Sequence, residues 1–424
     1  MIYLYISTKG ISDVDLSMPE NGNPGIGGTQ YCFILLAYYL YKNNNLPVNI
    51  ISLESLKLPA FLKNIVVSDF IEACRYVQEK DILICQTPMN KVDYDIINTI
   101  KGKVICWSHN YFKYDYAKLM SSTKKIVANV FVSKQMFDFY IDCDIIKKSL
   151  YIFNMVPDTL GECKRNVQPN TLVFIGNLIK EKGIIELFKI WRRVEKKVPN
   201  AQLYIIGRGN LYDHTIKLGK INVLSEDMEQ RLSSYIFDSD NKIKKNIHFL
   251  GILGKEKYDV FLNASVGMVN PSAKTETFGL GIVEMATAKL PVVTMNWNGH
   301  PDTAINKKTA LLSLTNRGMA KNVIKLFSDN DLNKTLGENG KLLCSRFSPS
   351  FISQQWYDLI SNIENGSYIN QNLSISKPYW NNYKFIRKFI SILRLNCRIK
   401  IVPPIVYWET KINDLIKNFN GKAN

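Results

Sequence analysis

Two glutamates, Glu276 and Glu284, flank a glycine-bearing turn in the segment ETFGLGIVE. The apolar run Val266–Val269 before them predicts a buried strand, and the run after them predicts a helix that begins near Ile282. The unpaired N–H groups and the dipole of a helix start favour a phosphate, and carboxylates accept hydrogen bonds from sugar hydroxyls. Loop and helix together span roughly 10–15 Å here, about the distance from a ribose to a sugar across a diphosphate. The segment therefore predicts a nucleotide-sugar site.

Two glutamates at this spacing also fit a surface helix with solvated charges, and without other signals that alternative is the commoner one. Two further motifs suit the same ligand. Lys182 stands beside Gly183 at a predicted helix start, which suits a diphosphate. Gly27 and Gly28 follow the opening strand in NPGIGGTQY and leave backbone N–H groups open to a ligand. The alternative for these glycines is a plain glycine-rich loop.

Two weaker signals follow predicted strands. His109, in WSHNYF, follows the apolar run Lys103–Trp107, although an isolated histidine at a strand end is usually structural. Gly207 and Arg208 form part of a G-x-G turn in IIGRGN, which is as often a simple tight turn. Both motifs remain candidates because ligands of parallel sheets bind beyond the carboxyl ends of the strands.

The elements that must position these residues are short apolar strands alternating with helical patterns. Such alternation predicts an α/β fold with parallel sheets covered by helices, and 424 residues suggest two domains. The predicted strands are Ile2–Ile6, Val48–Leu53, Asp81–Cys85, Lys103–Trp107, Ile126–Val132, Leu172–Gly176, Ala201–Gly207, Ile247–Leu250, Val266–Val269 and Val292–Met295. The predicted helices are Thr29–Tyr41, Lys134–Tyr140, Gly183–Lys197 and Ile282–Ala288. Pro157–Pro169 has no apolar period and predicts a linker, and the polar residues 211–245 predict an excursion outside the core.

The composition limits the class of protein. A hydrophobic fraction of 46% and a charged fraction of 21% are those of a folded chain. A net charge of +17 predicts attraction to nucleic acid, a membrane surface or phosphorylated substrates. Eight cysteines without a C-x-x-C pair predict reduced thiols, and four scattered histidines predict no metal cluster. No apolar run approaches the ~20 residues of a membrane helix and no leader opens the chain, so we expect a cytoplasmic protein.

The stretch NPSAKTETFGLGIVEMATAKLPVVTMNWNGHPD resembles the retaining glycosyltransferases of the family-four (group 1) type. That family carries a Pro-Ser turn, E-x-F-G, a second glutamate, P-V-V and a glycine before an acidic residue, here Asp302 instead of the usual glutamate. FIGNLIKEKGIIEL resembles the family's G-R-x-x-x-x-K-G element, with Lys182 at the diphosphate position and Asn177 replacing the arginine. Lys180 or Arg208 could supply the missing charge. No K-x-G-G motif is present, which argues against the glycogen- and starch-synthase branch.

The resemblance implies the GT-B fold, in which two Rossmann-like, doubly wound domains face a cleft and a C-terminal helix crosses back. We therefore expect an N-terminal acceptor-side domain over 1–160 and a nucleotide-sugar domain over 165–350. A closing helix would occupy 351–364, and a basic amphipathic extension would occupy 365–424.

The resemblance also implies a retaining, metal-independent transfer of a hexose from a nucleotide-diphosphate sugar to a hydroxyl acceptor, in bacterial-type cell-surface polysaccharide or glycolipid synthesis. The family is usually discussed with a front-face transfer assisted by the leaving group. No convincing Asp-x-Asp pair suggests a metal, and no cofactor beyond the donor substrate is expected. The expected catalytic residues are Glu276, Lys182 and His109, and the expected substrate-binding residues are Gly27, Gly28, Gly207, Arg208, Phe278, Gly279, Leu280 and Glu284. Glu276 would hold the donor sugar and Glu284 the ribose.

The end of the chain has a different character. Ten basic and two acidic residues lie from Lys377 onward, and Tyr383–Leu395 sets an apolar stripe against a basic face. That pattern fits an interfacial helix and equally a helix packed on the protein. The expected partners are a saccharide or lipid-linked acceptor and an anionic membrane surface bound through 377–424, which would place the protein peripherally at the inner face of the membrane. No recognised module supports nucleic-acid binding.

Two alternatives share the predicted fold. A nucleotide-sugar epimerase would need additional acid and base carboxylates and would not need the two-glutamate layout. A catalytically reduced accessory protein would be expected to lose the phosphate and sugar contacts. The candidate residues all remain, and the substitution at Asn177 is the one hint in favour of the accessory protein.

Overall fold

A computed structural model describes residues 1–7, 9–209, 215–272, 276–367 and 373–421, with the backbone alone for 417–421. Its internal contacts group the chain into two compact units. The first unit contains Met1–Ser17, Leu36–Phe153 and Ile352–Asn424, and the second contains Met18–Leu35 and Asn154–Phe351.

The first unit is built on a seven-stranded sheet. Its strands and helices in chain order are β1 (Ile2–Ile6), α1 (Gly28–Asn44), β2 (Val48–Ser52), β3 (Lys63–Val66), α2 (Phe70–Arg75), β4 (Ile82–Gln86), α3 (Lys91–Thr99), β5 (Lys103–Ser108), α4 (Tyr114–Ser122), β6 (Ile126–Phe131), α5 (Lys134–Phe139) and β7 (Ser149–Tyr151). The strand order is β3-β2-β1-β4-β5-β6-β7, and every neighbouring pair is parallel. The first turns of α1, through Leu35, group with the second unit.

The second unit carries a six-stranded sheet. Its elements are β8 (Thr171–Ile175), α6 (Ile184–Lys197), β9 (Gln202–Ile206), α7 (Glu226–Ile236), β10 (Ile247–Gly251), α8 (Lys257–Asn263), β11 (Val266–Val269), α9 (Leu280–Thr287), β12 (Val292–Met295), α10 (His300–Thr303), β13 (Ala310–Ser313), α11 (Asn316–Ser328) and α12 (Asn330–Leu343). The strand order is β10-β9-β8-β11-β12-β13, again parallel throughout. Leu172 and Phe174 belong to one core cluster and Val173 to another, so both faces of the sheet are buried.

The predicted α/β class is confirmed, and the predicted strands occur within one or two residues of their expected bounds. Strands β3, β7 and β13 are present in the structure but are not predicted from the sequence. The prediction for 211–245 is wrong over its described part, because Leu224, Leu232 and Ile236 are buried in the core. Helix α7 buries only one face, so its few apolar residues are separated by polar ones, and the segment as a whole looks polar in sequence.

Three helices end the chain: α13 (Pro349–Glu364), α14 (Lys384–Ser391), which continues into a π-helical turn at Ile392–Asn396, and α15 (Ile405–Gly421). In α13, Trp356 packs against Trp107 with ring centroids 4.8 Å apart, inside the first unit. Among the described residues, no helix is both long and apolar enough to cross a bilayer.

The C-terminal extension is amphipathic, but its basic face is the one that packs against the first unit, and its apolar face is exposed. The side chains of Lys384, Arg387 and Arg394 are buried, whereas those of Phe385 and Phe389 are more than half exposed. Acidic side chains of the first unit explain this orientation because they pair with the buried cations. The sequence pattern shows two opposite faces and carries no information about which of them meets the protein.

Candidate functional site

Glu276 and Lys182 come together although they are far apart in sequence. The Lys182 Nζ lies 3.0 Å from the Glu276 Oε2. The same oxygen accepts a hydrogen bond from the Asn270 amide at 3.2 Å, and the Glu276 Oε1 accepts one from the Gly279 N–H at 3.1 Å. Residues 273–275, directly before Glu276, lie outside the described residues. The contacts hold the carboxylate at the start of α9.

The electrostatics of this pair favour an ionised Glu276. Burial by itself raises the pKa of the carboxyl. The charge of Lys182, the charge that His300 carries once it is protonated in acid, and the hydrogen bond from Asn270 outweigh burial and lower the pKa to about 2. Glu276 is therefore a carboxylate at neutral pH, able to accept hydrogen bonds from sugar hydroxyls.

The turn that carries Glu276 is held by residues just after β12. The Gly299 N–H donates to the Glu276 carbonyl at 3.1 Å, and the Thr303 hydroxyl donates to the Phe278 carbonyl at 3.1 Å. A Cβ on Gly299 would lie 2.1 Å from the Thr277 carbonyl oxygen, so a glycine is required there. Gly279 adopts a φ of 95° before α9, a conformation that favours glycine. The loop from Glu276 to Leu280 is thus a preformed turn.

His300 is a site residue that the sequence motifs do not single out, although it stands within NGHPD. Its side chain is 1% exposed, and its Nδ1 lies 3.1 Å from the Met295 carbonyl oxygen. Burial lowers its pKa to about 4, opposed by the nearby Glu276 charge. At neutral pH the ring is therefore uncharged.

The depressed pKa of His300 predicts acid sensitivity. An unfolded chain binds the proton at the ordinary value of 6.5 and the folded chain only near 4, so stability is full above the unfolded value and falls as pH drops from it. We expect the wild type to lose roughly 3 kcal/mol more of its free energy of unfolding across this pH range than His300→Gln does. Urea unfolding at several pH values measures the difference. His248→Gln, at a more accessible ring, is the control and should differ less from the wild type. Parallel curves for wild type and His300→Gln would contradict the assignment.

The glycine pair of NPGIGGTQY, Gly27 and Gly28, lies beside the start of α9. A Cβ on Gly28 would lie 2.9 Å from the Leu280 Cδ1, and the Gly27 carbonyl accepts the Tyr31 N–H at 3.1 Å in the first turn of α1. Two helix starts, of α1 and α9, are therefore adjacent within the second unit. Their N–H groups and dipoles together suit a multiply charged anion.

Glu284 faces a cation, Lys257, that lies outside every motif of the sequence. The Lys257 Nζ lies 2.6 Å from the Glu284 Oε1 and 3.2 Å from the Asn23 carbonyl oxygen. The two side chains are 3% and 10% exposed, so this is a buried ion pair. Asn23 also accepts the Gly25 and Ile26 N–H groups through its side chain, so the pair braces the loop before α1. No local motif marks Lys257, because the pairing is between residues distant in sequence.

Gly207 and Arg208 of the G-x-G turn contact residues that are distant in sequence, and Asn177 replaces the arginine of the family motif nearby. A Cβ on Gly207 would lie 1.9 Å from the Gly176 carbonyl oxygen, so the glycine permits a close approach of the β8 and β9 ends. The Arg208 Nη2 lies 3.1 Å from the Asn222 Oδ1. Among the described residues, nothing hydrogen-bonds to the buried Oδ1 of Asn177. Asn210, the last residue of that motif, lies outside the described residues.

His109 lies in the first unit, just after β5. It is 6% exposed, and its ring centroid lies 4.6 Å from that of Trp107. Burial lowers its pKa to about 3, so the imidazole is neutral at physiological pH. Its expected place beside the donor stays a prediction.

Metal ions in proteins are held by clustered histidine, cysteine, aspartate and glutamate side chains. Within the described ranges, which omit 8, 210–214, 273–275, 368–372 and 422–424, no three of these side chains are grouped so as to hold an ion.

Residues 161–343 match the model of the family described as glycosyl transferases group 1. The capsular polysaccharide biosynthesis glycosyltransferase CapM of Staphylococcus aureus is 29% identical over 193 residues, which cover 44% of this chain and 44% of CapM. The 2-deoxystreptamine N-acetyl-D-glucosaminyltransferase of Niallia circulans is 20% identical over 290 residues, 65% of this chain and 66% of that enzyme. The chain thus spans less than two thirds of the length of these relatives.

Two solved structures show the same architecture over most of the chain. Sucrose-phosphate synthase of Thermosynechococcus elongatus has a TM-score of 0.68 at 16% identity, covering 86% of this chain and 99% of the synthase. HepE of Anabaena, solved with UDP-glucose, has a TM-score of 0.64 at 13% identity, covering 85% of this chain and all (100%) of HepE. These likenesses confirm the predicted GT-B fold class with its two Rossmann-like domains.

Proposed function

We propose that this chain, whose residues 161–343 match the group 1 glycosyl transferases, belongs to that family and transfers a hexose from a nucleotide-diphosphate sugar to a hydroxyl acceptor with retention of configuration and without a metal. The observation that carries the proposal is the cluster in which Glu276 and Lys182 meet at 3.0 Å beside the start of α9. An ionised carboxylate for sugar hydroxyls and a cation for phosphate are the two groups that such a donor needs.

The roles follow from the charges. The Lys182 ammonium and the N–H groups at the starts of α1 and α9 stabilise the nucleotide diphosphate as the bond between the anomeric carbon and the phosphate oxygen breaks and that oxygen takes the electron pair. The acceptor oxygen bonds to the anomeric carbon from the same face, and its proton passes to the departing phosphate. Glu276 orients the donor sugar and Glu284 the ribose. His109 borders the reacting carbon in this proposal.

The remaining substrate-binding assignments belong to the same proposal. Gly27 and Gly28 contribute N–H groups to the diphosphate, and the backbone of Phe278, Gly279 and Leu280 contacts sugar hydroxyls. Gly207 and Arg208 border the nucleoside.

The chemistry of related proteins supports the choice of substrates. HepE was solved with UDP-glucose, and TarM of S. aureus with UDP and α-GlcNAc-glycerol, which favours uridine diphosphate sugars as the first donors to test. The name of CapM favours polysaccharide synthesis, with a saccharide or lipid-linked acceptor. We place the protein in the cytoplasm, peripherally at the inner face of the membrane through 377–424.

The donor proposal is tested by thermal unfolding and calorimetry with a panel of nucleotide sugars. We expect at least one to raise the unfolding temperature of the wild type. Lys182→Met should bind that donor roughly 10–100-fold more weakly, because one charge-assisted hydrogen bond is lost. Lys189→Met, at an exposed position of α6, is the matched control and should bind normally. Stabilisation by none of the nucleotide sugars, or unaltered binding by Lys182→Met, would overturn the proposal.

A further inference from the structure

Exposed apolar side chains are concentrated near the end of the chain. Among the described residues, 29 large apolar side chains are exposed, and 13 of them lie between residues 379 and 416. Large apolar surfaces that stay exposed on a folded protein mark interaction sites.

In α14 the polar contacts turn this apolar surface outward. The Lys384 Nζ lies 3.2 Å from the Asp138 Oδ2, and the Arg394 Nη2 lies 3.0 Å from the Asp144 Oδ2. Arg387 lies between them, with its Nη2 2.5 Å from the Glu409 Oε1 of α15. All three cations are neutralised inside the first unit, so the buried face of α14 is the charged one.

The opposite face of α14 carries Phe385, Ile386 and Phe389, which are 64%, 51% and 62% exposed. This face is the α14 apolar stripe. The inward ion pairs explain this exposure. When the charged face of an amphipathic helix packs on the protein, its apolar face lies on the surface.

Helix α15 repeats the arrangement. Trp408, Ile412 and Leu415 recur at helical spacing and are 51%, 54% and 57% exposed, which defines the α15 apolar stripe. Between the two helices, Ile401 is 89% exposed. Val406 and Thr410, on the other side of α15, are buried. Two successive helices thus expose their apolar sides.

The surroundings of the stripes favour a lipid surface. Lys377, Arg398 and Lys411 are exposed along the same segment. A pocket of about 260 Å³ in the first unit is lined by the basic side chains of Lys118, Lys147 and Lys400 together with Asp144 and several uncharged residues. Exposed phenylalanine and tryptophan with neighbouring cations are the combination found at the boundary between lipid headgroups and acyl chains. The cations complement anionic headgroups.

We propose that the α14 and α15 apolar stripes insert into the headgroup–acyl boundary of an anionic bilayer. The inference deepens the peripheral membrane association of the proposed function, since it names the surface and the force. Apolar burial dominates, because Lys384 and Arg387 of α14 are committed to internal ion pairs and Lys388 donates a hydrogen bond to the Leu373 carbonyl. Salt should therefore weaken binding to the bilayer only slightly.

The test is flotation of the full chain with vesicles of phosphatidylcholine and phosphatidylglycerol. We expect the wild type to bind, with a partition coefficient that falls less than about threefold in high salt. Phe385→Ser/Phe389→Ser should reduce it at least about tenfold. Phe351→Ser, at a phenylalanine 52% exposed on α13, is the matched control and should bind normally.

Thermal unfolding and sedimentation of the same proteins separate lipid binding from misfolding and from self-association. The double variant should stay folded and keep whatever nucleotide-sugar stabilisation the wild type shows, and flotation itself needs no donor. Absent vesicle binding, equal binding by the double variant, or release by salt alone would overturn the inference. A wild-type dimer that the double variant dissociates, without vesicle binding, would assign the stripes to a second copy of the chain instead.

Discussion

Glu276→Gln is expected to lower kcat/KM for sugar transfer by about 10²–10³-fold. Glutamine keeps the shape of the side chain and an oxygen that can accept the Gly279 N–H, which lies 3.1 Å from the Glu276 Oε1. It loses the negative charge that meets Lys182 and that, under the proposed roles, orients the donor sugar. A preorganised charge acting on the reacting sugar contributes most in the transition state, so the loss should appear mainly in kcat.

The measurement is release of the nucleotide diphosphate and formation of the glycosylated product at saturating and limiting donor. Glu226→Gln, at the exposed start of α7 with a side chain 65% exposed, is the matched control and should retain full activity. Transfer by Glu276→Gln at the wild-type rate would remove Glu276 from the catalytic assignment.

Lys257→Met is expected to destabilise the folded protein by about 3–5 kcal/mol, because it leaves the Glu284 carboxylate buried without its charge partner. The two groups are 2.6 Å apart and at most 10% exposed, so solvent cannot replace the lost ammonium. The free energy of unfolding from denaturant titration measures the effect. The loop that contains Asn23 should also loosen, because the Lys257 ammonium lies 3.2 Å from its carbonyl.

A double variant separates the ion pair from packing. Lys257→Met/Glu284→Leu removes both charges, and its cost should be smaller than the sum of the two single costs. Lys244→Met provides a comparison at a more accessible pair, 3.7 Å from Glu195, where we expect less than about 1 kcal/mol. A Lys257→Met cost of that small size would show that the buried pair is not a stabilising brace.

Sequence patterns predict the parts of the fold that depend on local periodicity. Most strands of both sheets are apolar runs, since they are buried on both faces, and the glycines at 28 and 279 mark the starts of α1 and α9. Strand β3 lacks this signal because its side chains are exposed or half-buried at the sheet edge. Helix α7 resembles a surface excursion in sequence because only its inner face is apolar.

By itself the sequence determined the α/β class, the order of the ten predicted strands and the candidates Glu276, Lys182 and Gly28, because these follow from chain-local spacing. Only the tertiary structure decided that Lys182 meets Glu276, that Lys257 pairs with Glu284, and that α14 turns its cations inward. The physical reason is the same for all three. An ion pair between distant segments depends on which faces the sheets and helices bring together, and a helical pattern is identical whichever face is buried.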